Sequence, residues 1–179
     1  MSTSKHTQEF VSPEKISGDV NAEVALLLSK EWHVTDWAER ARHIAEAAHD
    51  GDTDKNGEPI IDHVTRVVEA VKRSAWSLSY KDRQAVIAAA WMHDVVEDGH
   101  ADLFDIATSF PGEVAPMLNA LTRRESETYA DYIGRVRRSG THAVLIKIAD
   151  LRDNLGRPGA DLLKRRYTKA LASIEGDLT

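Results

Sequence analysis

His93 and Asp94 stand side by side in the run Ala88-Ala89-Ala90-Trp91-Met92-His93-Asp94-Val95-Val96-Glu97-Asp98, and two more carboxylates follow at the next helical turn. Residues three or four apart share a helix face. The run can therefore crowd His93, Asp94, Glu97 and Asp98 onto one patch beside an apolar, alanine-rich segment. Buried charge needs a partner, and a divalent cation suits an imidazole among carboxylates. Two other places put a ligand type beside core residues. His63 follows Ile60-Ile61-Asp62 near a helix start, and Asp150 ends the apolar run from Val144 to Ala149, with Asn154 one turn later. His63, His93, Asp94 and Asp150 together offer a mixed nitrogen and oxygen ligand set. It suits Mn²⁺, Fe²⁺, Zn²⁺, Co²⁺ or Mg²⁺, and ligand hardness favours Mn²⁺. Such a metal acidifies bound water and polarises a P–O bond. Glu97 and Asp98 can then take a proton from the attacking water and orient it or assist the leaving group.

Taken singly, each residue also has a plain structural use. His63 could cap a helix, His93-Asp94 could be a surface pair, and Asp150 could pair with Lys147 or Arg152. Glu97-Asp98 could be an acidic helix end, although acids near a C-terminus oppose the helix dipole, which favours a functional role. His6, His33, His43, His100 and His142 read as surface or structural residues. His49 stays open, because it faces the loop that leads to His63.

The elements that must position these groups are helices. Val24, Leu27 and Leu28 have helical spacing, and Thr35 can cap a helix from Asp36 to His49 with Ala41, Ile44, Ala45 and Ala48 as its inner face. Asp50 to Pro59, rich in glycine and acids, reads as a loop. Ile60, Ile61, Val64, Val67, Val68 and Val71 make the next apolar face. Ser79 is the N-cap expected for one helix from Tyr80 to about Glu97, ended by Gly99. Further helices are expected over Leu103–Ser109, around Val114 to Leu121, after Thr128, over Ala143 to Asn154, and from Asp161 to about Glu175, with Pro158-Gly159 as a break. The expectation is one all-α domain of about eight helices spanning residues 19–176, after a loosely ordered lead-in over 1–18.

Bulk composition narrows the function classes. The 179 residues suit one domain with a sizeable core. No cysteine is present, which excludes disulfides, thiolate zinc sites and a cysteine nucleophile. A net charge of −6 argues against a nucleic-acid polymer as partner, while a small phosphorylated ligand remains compatible with a local metal and one or two lysines. No apolar run reaches membrane length and the N-terminal residues carry no secretory pattern, so a cytoplasmic protein is expected. A homo-oligomer is left open.

These residues resemble the HD superfamily of metal-dependent phosphohydrolases, and more narrowly the hydrolase domain of RelA/SpoT-type alarmone enzymes and the single-domain small alarmone hydrolases. The matching segments are Ala48-His49-Asp50-Gly51, Gly57 to His63, Met92 to Asp98, Leu121-Thr122, and Lys147 to Asp150 with Asn154. They occur in family order over about residues 37 to 156. The resemblance implies an HD-type helical bundle, metal ligands at His63, His93, Asp94 and Asp150, and a catalytic pair at Glu97 and Asp98. It also implies substrate contacts from Lys55 and Asn154. The implied reaction is Mn²⁺-dependent removal of pyrophosphate from the 3′ position of guanosine tetra- or pentaphosphate. The alternatives are an HD-type phosphatase of another nucleotide, such as a nucleoside monophosphate or NADPH, and a domain that senses a nucleotide without cleaving it. Four positions depart from the pattern. Asp54 stands in place of an arginine and reverses its charge, so a polyanionic substrate needs another base nearby. Ile60 replaces a tyrosine, Val64 a proline, and Leu151 a basic residue.

Overall fold

A computed structural model describes residues 22–29, 37–157 and 161–176. The lead-in over 1–18, the cap at Thr35 and the break at Pro158-Gly159 lie outside the described residues. Ten helices are formed among the described residues, rather than about eight: α1 (Ala22–Ser29), α2 (Trp37–Ala48), α3 (Ile60–Ser74), α4 (Tyr80–Trp91), α5 (His93–Glu97), α6 (Leu103–Ser109), α7 (Val114–Leu121), α8 (Tyr129–Arg138), α9 (Thr141–Gly156) and α10 (Asp161–Glu175). An isolated bridge between Thr53 and Pro59 is the β pairing among them.

The centre of the bundle is α4, which packs against α2, α3, α7 and α9. Every residue from Ala85 to Trp91 is buried. A helix that is apolar all round belongs inside the protein, and its alanines let four neighbours approach closely. The faces read from spacing are buried as expected: Ala41, Ile44, Ala45 and Ala48 on α2, and Val64, Val67, Val68 and Val71 on α3. The Ser79 and Thr128 hydroxyls accept from the backbone N–H groups of Asp82 and Asp131, so both caps form. A second, smaller core joins α8, α9 and α10 through Tyr132, Ile133, Val136, Leu151 and Ile174.

The expected helix from Tyr80 to Glu97 is broken at Met92. Its backbone sits at φ −99°, ψ 6°, and the Val96 N–H reaches the Met92 carbonyl only at 3.5 Å. The side chain of Met92 is fully buried, so packing holds a backbone turn that local propensity does not request. The break re-aims α5, and the metal-type residues sit on α5.

A buried arginine ties α1 and α6 to α2. Arg40 is 4% exposed; it donates to the Leu27 and Leu28 carbonyls at the end of α1 and to the Ser109 carbonyl at the end of α6. Carbonyls at helix ends lack intrahelical partners, and Arg40 satisfies three of them.

Candidate metal centre

His93 opens α5 and is 4% exposed. Its Nδ1 lies 2.8 Å from the Ala90 carbonyl oxygen, an acceptor, so Nδ1 carries the proton. In the neutral ring Nε2 then keeps a lone pair. That atom is buried with no hydrogen-bond partner, and it lies 3.2 Å from Asp94 Oδ1. The orphaned lone pair facing a carboxylate is the tautomer that a metal ligand needs.

His63 lies in the first turn of α3, where Pro59 precedes the helix. Its Nδ1 is 2.7 Å from Asp153 Oδ2, which turns Nε2 inward. Nε2 lies 3.4 Å from Asp150 Oδ1 and 3.7 Å from Asp94 Oδ2. The two imidazole rings are 5.7 Å apart. Ligand atoms of His63, His93 and Asp94 all fall within 4.8 Å of one another. The donor set, the buried lone pair on His93 and the carboxylate behind His63 fit a divalent cation.

Asp150 joins this group through His63, and its carboxylate is already engaged. Oδ2 accepts from Lys147 Nζ at 2.7 Å and Oδ1 from Asn154 Nδ2 at 2.5 Å. Burial would raise its pKa, but the Lys147 ammonium and the His63 ring hold it well below the carboxylate range. Burial would likewise lower the Lys147 pKa, and the Asp150 charge overrides this and raises it. The Lys147 ammonium also sits 5.0 Å over the Tyr132 ring. Removing one partner of a buried ion pair costs about 3–5 kcal/mol, because the other charge is stranded. Lys147→Met is therefore expected to lower the melting temperature of chelated protein by roughly 10 °C. Calorimetry showing a change under about 2 °C would mean the pair carries no such weight.

Burial would also lower the His63 pKa, yet the Asp150 and Asp153 carboxylates raise it from 6.5 to about 9. Asp153 is pulled down to about 2 by His63 and Arg66 despite its own desolvation. A pKa raised on folding stabilises below the unfolded value and is lost as pH rises through the folded one. Metal-free protein should therefore be most stable near pH 6 and lose on the order of 3 kcal/mol as pH climbs towards 9. Metal binding requires the unprotonated ring, so cation affinity should instead rise over the same window, about tenfold per pH unit. Melting curves with and without chelator read both trends. A chelated protein whose stability is flat from pH 6.5 to 9 contradicts the charged His63–Asp153 pair.

Glu97 and Asp98, adjacent in sequence, face different neighbours. Desolvation raises the pKa of each carboxyl although both residues keep some solvent exposure. Glu97 also feels Lys147, Asp94, Asp150 and His93, the groups of the metal-type cluster. Asp98 feels Asp94, His100, His93 and Asp52, and its carboxylate groups with His49 and His100.

The loop from His49 to Pro59 is built around Asp54. Its Oδ1 accepts from the backbone N–H groups of Asn56 at 2.7 Å and Glu58 at 2.9 Å, while Gly57 takes a left-handed φ of 80° to close the turn. Arg157 reaches over from the end of α9 and donates to Asp54 Oδ2 at 2.5 Å and to Glu58 Oε2 at 3.1 Å. A guanidinium thus sits beside the reversed charge and neutralises it. Lys55 is exposed at the loop tip. A separate groove of about 750 Å³ runs between α3 and α9, lined by Arg66, Arg73, Arg152 and Asp153 among others; none of His93, Asp94 and Glu97 lines it.

Asp153 and Arg157 were not readable as site residues. The one local hint for Asp153 is its place three residues after Asp150 on the same helix. No local signal marks Arg157, whose partners lie about a hundred residues earlier.

The sequence profile described as HD domain matches residues 41–155. Among solved structures, a metazoan ortholog of SpoT that hydrolyzes ppGpp and plays a role in starvation responses is similar to this chain. The TM-score is 0.64 at 22% identity, over 81% of this chain and 88% of that one. At that identity the likeness is one of fold. No curated protein matches the chain.

Proposed function

Since the chain belongs to the HD domain family, we propose that it is a metal-dependent phosphohydrolase acting on a small phosphorylated nucleotide. The observation that carries this reading is His93 Nε2, buried and unpartnered beside Asp94 and His63. Within that class the proposed reaction is removal of a 3′-pyrophosphate from a guanosine polyphosphate, with Mn²⁺ as the favoured ion. It is supported by the residue pattern and by the fold shared with the metazoan SpoT ortholog.

A divalent cation, when bound, supplies Lewis acidity that polarises the P–O bond and acidifies water. His63, His93, Asp94 and Asp150 would hold it, with Asp153 and Ala90 orienting the two rings. Glu97, whose carboxyl is raised above the ordinary glutamate range by desolvation, takes the proton of the attacking water. Asn154 and Lys55 would contact the substrate. Arg157, bonded to Asp54 and Glu58, offsets the reversed charge at Asp54.

A second reading, a phosphatase of another nucleotide on the same chemistry, draws on that loop. Asp54 and Arg157 form a different reading head from an arginine-lysine pair. Arg157→Ala is expected to release the Asp54 charge and raise KM for a polyanionic substrate about tenfold, with kcat nearly unchanged, the signature of lost ground-state binding. A KM unchanged in the variant would place the loop outside the binding site. The test of the function itself is turnover with Mn²⁺ on guanosine tetraphosphate, NADPH, and nucleoside mono- and triphosphates. Product from none of them, with metal shown to be bound, overturns the phosphohydrolase and leaves a nucleotide sensor.

A further inference from the structure

A second group of ligand atoms gathers at the C-terminal end of α5. His49, at the end of α2, is 2% exposed, and neither ring nitrogen has a hydrogen-bond partner. A buried polar atom left unpaired costs about 1–3 kcal/mol, and Nδ1 meets only the Asp52 carboxylate at the edge of contact, so this ring requires an explanation. Around this ring stand Asp98 and His100, and ligand atoms of His49, Asp98 and His100 fall within 4.8 Å of one another. Asp52 Oδ2 lies 3.5 Å from His49 Nδ1 and 3.4 Å from His100 Nε2, bridging the two imidazoles. The rings meet edge to face at 4.9 Å.

The backbone builds this arrangement. Gly99 takes φ 83°; its N–H bonds the Val96 carbonyl, and the His100 N–H bonds the Val95 carbonyl at 2.9 Å. This is the helix-ending turn in which a left-handed glycine reverses the chain. It swings His100 back beside Asp98 and over His49. At the loop end, the Asp52 N–H bonds the His49 carbonyl at 3.1 Å and holds Asp52 against the same ring.

We propose that His49, Asp98 and His100 form a second divalent-cation site, distinct from the one at His63, His93 and Asp94, with Asp52 holding the two imidazoles beside it. Two imidazoles and a carboxylate suit a first-row ion of the Zn²⁺ or Co²⁺ type. The site does not depend on the chain being a hydrolase.

The test is metal stoichiometry of the full chain after equilibrium dialysis against Co²⁺ alone. Wild type should hold two equivalents, His100→Ala and Asp52→Asn one each, and His63→Ala one. The double variant His63→Ala/His100→Ala should hold none. Circular dichroism checks that each variant is folded, and the partly exposed Asp52 and His100 are chosen because the bundle does not rest on them. One equivalent in wild type, lost in His63→Ala and kept in His100→Ala, overturns the second site and leaves the proposed function standing. One equivalent lost in His100→Ala and kept in His63→Ala upholds the second site and removes the metal basis of the proposed function. Two equivalents retained in both His100→Ala and Asp52→Asn also overturn it.

Discussion

Glu97→Gln should lower kcat by about 10²–10⁴-fold while leaving bound metal and melting temperature nearly unchanged. The substitution keeps shape and removes only the ability to accept a proton. Glu97 is suited to that task by its surroundings. Desolvation raises its pKa first, and the neighbouring Asp94 and Asp150 charges add to it, against the opposing pull of Lys147 and His93. A base with a raised pKa loses activity as pH falls through it, so the acidic limb of the kcat profile should lie above the ordinary glutamate range near 4.5. In the glutamine variant that limb should disappear. A kcat within a factor of about three of wild type, at equal metal content, would show that the proton goes elsewhere. Asp98 would then be the residue to examine.

Asp94→Asn should weaken divalent-cation binding by more than about 100-fold and abolish turnover at ordinary metal concentrations. Asp94 stands at the centre of the cluster, with Oδ1 3.2 Å from His93 Nε2 and Oδ2 3.7 Å from His63 Nε2. Removing its charge leaves two imidazoles and a carboxylate already shared with Lys147 and Asn154. Asp153→Asn provides the internal standard. It acts behind the cluster, on His63 and Arg66, and such outer partners are worth about 10–100-fold in affinity. The expected order is therefore a large loss for Asp94→Asn and a smaller one for Asp153→Asn, measured by calorimetric titration with Mn²⁺. Equal affinities in wild type and Asp94→Asn would dismantle the cluster as a metal centre.

Much of the scaffold behind these effects was legible in the chain. The valine face of α3, the alanine face of α2 and the caps at Ser79 and Thr128 each depend on residues within a turn of one another. The grouping of His63 with His93 and Asp94 was legible for a different reason. An imidazole or carboxylate placed at the edge of an apolar face is costly unless something uses it. The apolar run at Val144 to Ala149 has no helical period of its own, but its length and the polar continuation through Asn154 favour a buried helix, and it forms α9.

What only the tertiary structure decided has a common physical origin. The break at Met92 is held by burial of its side chain in the bundle, and without it His93 would continue the line of α4. Arg40 joins helix ends that lie 12 and 69 residues away from it. Arg157 cancels Asp54 across 103 residues. Asp98 separates from Glu97 because consecutive residues on a helix point to different faces, and the face of Asp98 is met by His49 and by His100 returning through Gly99. Periodicity and capping are local energies, written within a few residues. Pairings between distant charges exist only once packing has brought two helices together. The residue types from His93 to Asp98 thus point to cation chemistry within one short segment. How their side chains divide between the two clusters follows from the helices around them.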